Sequence, residues 1–301
     1  MFEVIGEMYS YTFMQNALLV GIFGGGLLAF LGIFVHLRRI VFLGAALPQI
    51  VATGVATAFF LSVSPILGAI AGGIIGITLL SFVGKNSHLP TDGWIGLAFA
   101  AGSSVAIVLL ALSSAPDGHA LRFFTGDILG TSRSDAIYAI IAATAVAAIF
   151  KLFWNKIVIT GFDPVMSATL GIRVHVWNAL MFLSLGFGLA IVMNTAGGML
   201  AFSMLVGPPA AALILFRSFP LIIVTAVITG ALAAFGGLTT SFLLDLPGGP
   251  TMATAALVPV VIAWLVHMIT TLARAKKSGS QGKSQSHSVS GSKSSVQKTE
   301  E

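Results

Sequence analysis

Few side chains in this sequence are of a type that does chemistry. There is no cysteine among the 301 residues, which excludes a disulfide framework, a thiolate metal site and a cysteine nucleophile. No Walker-type phosphate loop and no His-Glu-x-x-His helix occurs, so the chain is expected to lack ATPase activity of its own and to be no enzyme. What remains is scattered. Met193, Met199 and Met204 fall close together in sequence and suit passage of a soft ion such as Cu(I), although methionine more often fills gaps in packed cores. Asp245, near Pro247 and Gly248-Gly249, either caps the following helix or takes part in substrate access, and His267 reads as a packing histidine. Gln49, Asn178 and Asn194 are neutral amides able to contact a polar solute. One local pattern has a clear geometric meaning: Asp163 followed by Pro164 is an N-cap with proline at the first helical position, and Gly171 can close the same short helix.

The elements that must carry these groups follow from composition. Apolar residues make up 56% of the chain and charged residues 8%, against about 25% charged in an ordinary soluble domain. With a mean hydropathy of +1.00 and 34 glycines, this chain cannot cover an aqueous surface, and its main solvent is lipid. No charged residue occurs between Ile40 and Gly84, about twice the roughly 20 residues that one membrane helix needs, and Ser62-Val63-Ser64-Pro65 supplies the break. A second such run, 174–216, breaks at Asn194-Thr195-Ala196-Gly197-Gly198. The same logic throughout predicts nine spans, near 12–35, 44–62, 65–84, 94–114, 134–154, 175–193, 196–216, 220–244 and 250–272, with eight as the alternative count. The expected fold class is therefore an all-α polytopic membrane protein whose Gly/Ala-rich helices approach closely.

Segment 115–133, which includes Arg122 and Arg133, is too short to span and reads as a re-entrant or interfacial helix. The other short loops collect Arg38, Arg39, Lys85, Lys151, Lys156, Arg173 and Arg217 on one face, which places the N-terminus outside and the C-terminus in the cytoplasm. Residues 1–273 form the expected transmembrane domain. Residues 274–301, rich in Ser, Gly, Gln and Lys, form an expected disordered cytoplasmic tail. Ionisable groups inside the spans are too few for a proton relay, which argues against a proton-coupled carrier.

Several segments together resemble a known family. Arg38-Arg39 followed by Gly44; Phe124, Gly126 and Asp127 with Thr125 interposed; Phe162-Asp163-Pro164 with Ala168, Leu170 and Gly171; Gly198-Met199-Leu200 through Pro208, Ala210 and Ala211; and Ser241, Asp245, Pro247, Gly249 and Pro250 occur in the order found in permease subunits of zinc/manganese-type ABC importers. The resemblance covers roughly residues 12–272. It implies a homodimer in the cytoplasmic (inner) membrane of a prokaryote, moving a metal ion such as zinc, manganese or iron, or a chelated metal. It further implies a separate cytoplasmic ATPase, which uses ATP and Mg, docked on Phe162, Asp163, Pro164, Ala168, Leu170 and Gly171, and an extracytoplasmic binding protein; the chain itself binds no cofactor. Gln49, Met193, Met199, Met204 and Asp245 are the candidates for the translocation path. Where the family carries an Asp and, four residues on, a His, this sequence has Ala45 and Gln49, so no metal ligand is assigned to either. The other readings that the residues allow are a secondary small-molecule transporter of the exporter type and a membrane accessory protein that transports nothing.

Overall fold

A computed structural model of the chain describes Gly6 and residues 10–38, 40–82, 91–113, 126 and 128–271. Among these residues there are nine long helices and no strand: α1 (Thr12–Leu37), α2 (Val41–Phe60), α3 (Pro65–Phe82), α4 (Thr91–Leu112), α5 (Arg133–Leu152), α8 (Val174–Ala196), α9 (Gly198–Leu215), α10 (Phe219–Leu243) and α11 (Gly248–Thr271). Two short helices, α6 (Trp154–Phe162) and α7 (Pro164–Thr169), lie between α5 and α8. Eight of the long helices are long and apolar enough to cross a membrane. The remaining one, α3, has 18 residues and thus rises about 27 Å, although its described apolar stretch is the shorter Pro65–Gly76. Helix is the form expected here, because in lipid each backbone amide must find its partner within its own segment.

The predicted breaks are where the chain turns. Gly197, with φ +83°, separates α8 from α9, and this left-handed backbone is one that glycine adopts without a Cβ clash. Gly126, with φ +79°, packs directly on the Ala196–Gly197 peptide. It is one of the few described parts of the expected re-entrant segment; residues 114–125 and Asp127 lie outside the described residues, as do Arg39, 83–90 and 272–301, which include the whole expected tail 274–301. Ile128 follows in a single 3-10 turn and is fully buried, and α5 then starts at a capping box: the Ser132 amide donates to Asp135 Oδ2 (2.9 Å) and the Asp135 amide to Ser132 Oγ (3.3 Å).

Helix α1 is the centre of the bundle. Its most apolar stretch is 72% buried, against 22% for α4 and α11, and it packs on α9 and α10. Its glycine-rich Val20–Gly24 turn is a π-helical segment. Helix α2 lies against both α3 and α4, and here backbones touch: a Cβ on Gly54 would stand 2.8 Å from Gly72 Cα, and one on Gly102 would stand 2.9 Å from the Gln49 carbonyl carbon. Such approaches replace the hydrophobic drive that water supplies to soluble bundles.

Candidate functional site

The short helix predicted from Asp163, Pro164 and Gly171 is present as α7, and its ends have the expected chemistry. Asp163 Oδ1 accepts from the amides of Val165 (3.0 Å) and Met166 (2.9 Å), groups that have no partner inside the helix. At the other end Gly171 takes φ +74°, the Ile172 amide donates to Ser167 O (3.0 Å) and the Gly171 amide to Ala168 O (3.1 Å), the paired bonds of a Schellman closure. Ser167 is fully buried, which marks the side of α7 that faces the bundle, and its hydroxyl is satisfied within the helix by donating to Asp163 O (2.8 Å).

The opposite side of α7 is apolar and open. Val165 is 76% exposed, Leu170 58%, and Met166 and Phe162 56% each, while Asp163, Pro164 and Ala168 are also exposed. Four large apolar side chains within residues 162–170 thus stay more than half exposed, and the basic end of the bundle is where they project. Such a patch marks a protein or membrane contact.

This knob is tied to the centre of the bundle by contacts that the sequence did not foretell, some of them from residues it had singled out. The Phe162 ring meets Phe219 at 5.2 Å, and Phe219 in turn meets Trp154 (5.7 Å) and Phe34 (6.1 Å). Phe34 continues the chain to Phe150 (5.2 Å) and Phe30 (5.6 Å). A second tie is Arg38, just beyond the end of α1. Its Nη2 donates to Thr160 O (3.3 Å), near the C-terminal end of α6 where a cation opposes the helix dipole, and its guanidinium lies 5.9 Å from the Phe182 ring centre. Burial lowers the Arg38 pKa from its usual value by penalising the charged form.

The candidates for a translocation path are not brought into one cluster. Ala45 is half-buried beside Phe42, Ile95 and Phe99. Gln49, one turn on, is half-buried, and its Oε1 is enclosed without a hydrogen-bond partner; Asn178 Oδ1 on α8 is in the same state. Beside Gln49, the Thr53 hydroxyl donates to the carbonyls of Gln49 (3.0 Å) and Gly102 (2.9 Å). Met193 and Met204 are fully buried as packing groups: Met193 Cε lies over Gly198, and Met204 Sδ is 3.3 Å from where a Cβ of Gly25 would be. Met199, by contrast, is 55% exposed, so the three methionines do not line one wall.

Asp245 is exposed with φ +52°, and its carboxylate makes no hydrogen bond among the described residues, so it does not cap α11. The turn is instead closed by Ser241, whose hydroxyl donates to Leu246 O (2.6 Å) and whose carbonyl accepts from the Leu246 amide (2.9 Å). His267 is exposed on α11 and not packed, because the helix lies at the periphery of the bundle. The Asn194 side chain lies outside those described. Among the described residues no three His, Asp or Glu side chains converge to hold a metal ion.

Residues 10–267 match the ABC 3 transport family. Across 259 residues the chain is 30% identical to the manganese transport system membrane protein MntC of Listeria monocytogenes, covering 86% of this chain and 92% of that protein. It is 28% identical over 250 residues to MntC of Halalkalibacterium halodurans (83% and 86% covered), and 27% identical over 265 residues to the manganese import system permease protein ScaB of Streptococcus parasanguinis (88% and 94% covered). Among solved structures, PsaBC from Streptococcus pneumoniae in complex with Fab has the same fold, with a TM-score of 0.80 at 24% identity, covering 87% of this chain and 94% of that one.

Proposed function

The chain belongs to the ABC 3 transport family, and from that premise we propose that it is the membrane-spanning permease of an ATP-driven importer of a metal ion, with α7 as the dock for a separate cytoplasmic ATPase. The observation that carries this reading is the exposed apolar face of a doubly capped six-residue helix at the basic end of the bundle. A capped helix is a rigid shape, and rigidity is what a part must have if it is to be pushed. The aromatic chain from Phe162 through Phe219 to Phe34, together with Arg38 on Thr160 O, joins that shape to α1, the most buried helix. Movement of the docked ATPase pair on ATP binding then rocks these helices and opens a central path alternately to each side.

The cargo reading rests on the relatives, whose names specify manganese. A permease of this kind works as a homodimer in the inner membrane of a prokaryote and receives its ion from an extracytoplasmic binding protein. The basic loops support an inside C-terminus. Ala45 and Gln49 offer one neutral oxygen where a carboxylate or imidazole would bind an ion firmly. Ion selection therefore falls to the binding protein, and the permease supplies a switchable conduit. The test is co-purification with a candidate cytoplasmic ABC ATPase. A Phe162→Ala, Asp163→Ala double variant is expected to lose the ATPase while the bundle stays folded, and undiminished association would remove α7 as the dock.

A further inference from the structure

A groove of about 730 Å³ runs between α1, α5 and α10 and is open along the side of the bundle. Its body is apolar, with Ile22, Phe23 and Val227 among the lining residues, and Phe30, Phe150 and Trp154 wall it toward the basic end. There Lys151 completes the lining: it is exposed, and among the described residues no carboxylate pairs with it. Asp135 lies at the far end of α5, and the Asp163 carboxylate is engaged in its cap. The groove is also short. Its lining extends from Ile22 to Phe30 on α1 and from Ile223 to Ala231 on α10, about 12 Å along each helix, which fits one leaflet of a hydrocarbon core about 30 Å thick and not the whole of it.

An apolar slot one leaflet deep, ending in a tryptophan and an unpaired ammonium at the interface, has the chemistry of a phospholipid with a negative headgroup. We infer that this groove binds an anionic phospholipid of the cytoplasmic leaflet, with an acyl chain along α1 and α10 and its phosphate on Lys151. The leaflet assignment rests on the orientation proposed above; the ligand class does not. Because Phe30, Phe150 and Trp154 belong to the aromatic chain that reaches the docking helix, the lipid lies against the part of the bundle that the ATPase moves.

The test is native mass spectrometry of the full chain in neutral detergent, presented with equal amounts of phosphatidylglycerol and phosphatidylcholine of the same acyl composition. The native chain is expected to retain phosphatidylglycerol about fivefold over phosphatidylcholine, the ratio that one interfacial lysine supplies. Lys151→Gln brings that ratio near one, whereas Lys156→Gln, whose ammonium lies 5.2 Å over the Trp177 ring and outside the groove, leaves it unchanged. Ala147→Trp, at an exposed position of the groove wall, lowers retention of both lipids. Equal retention by the native chain, a preference that survives Lys151→Gln, or a dimer that Ala147→Trp splits without loss of lipid overturns the proposal. Labelling of a Lys151→Cys variant from outside the cell overturns the leaflet and the orientation together, with the lipid preference intact.

Discussion

Asp163→Ala tests how α7 is held. In the native chain one carboxylate oxygen accepts from two amides, those of Val165 and Met166, and neither amide has another partner inside a helix of six residues. Isolated helices shorter than about 12 residues are marginal, so such a turn persists only through its caps and its packing. Removing an N-cap aspartate costs about 1 kcal/mol, within a range of about 0.5–2, and about 1 kcal/mol is about a fivefold change in a local opening equilibrium. Hydrogen exchange in the purified full chain reads that equilibrium directly. The amides of Leu170, Gly171 and Ile172, which donate back into α7, are expected to exchange about fivefold faster in Asp163→Ala, while those of α1 are unchanged. Asp163→Asn keeps the accepting oxygen and is expected to remain near the native rate. Unchanged exchange in the alanine variant, or equal acceleration in both, would refute the capping argument, the second result because it would assign the effect to charge.

Three further outcomes follow from the same geometry. Gly54→Ala forces a methyl against Gly72 Cα across the α2–α3 contact and is expected to lower the thermal unfolding midpoint by several degrees, whereas Gly26→Ala, where a Cβ meets only Val227 Cγ1 at 3.6 Å, is expected to be neutral; size-exclusion chromatography after heating separates them. Phe219→Ala removes three ring contacts worth about 0.5–1.5 kcal/mol each and is expected to leave ATPase association intact while reducing ions moved per ATP, measured in proteoliposomes. Ala45→Asp with Gln49→His places two ligating groups one turn apart and is expected to slow Mn²⁺ release, seen as metal retained through gel filtration that the native chain does not retain.

The spans were legible because charge is their strongest signal: runs such as 174–216 carry no Lys, Arg, Asp or Glu, and their breaks fall at glycine and proline. Helix α7 was legible for another reason, since its caps are local and Asp163, Pro164 and Gly171 sit within a few residues of the groups they serve. Which face of each span points inward was not. Helices that are apolar all round carry no polar side to betray their orientation. The packing of Met193 and Met204, the exposure of Met199 and His267, and the convergence of Phe34, Phe150, Trp154, Phe162 and Phe219 therefore emerge only in three dimensions. Arg38 meets Thr160 across 122 residues, a pairing for which no local pattern exists. The Asp245 cap failed because a left-handed backbone at that residue turns the chain before α11 begins.

As a permease of this family, the bundle is expected to move a metal ion only when a docked ATPase drives it. The most direct measurement is Mn²⁺ uptake into proteoliposomes containing the chain, its partner ATPase and the binding protein, with and without ATP. Uptake is expected to require ATP and to disappear in the Phe162→Ala, Asp163→Ala variant. Uptake by the chain alone, driven by a proton gradient and indifferent to ATP, would contradict it.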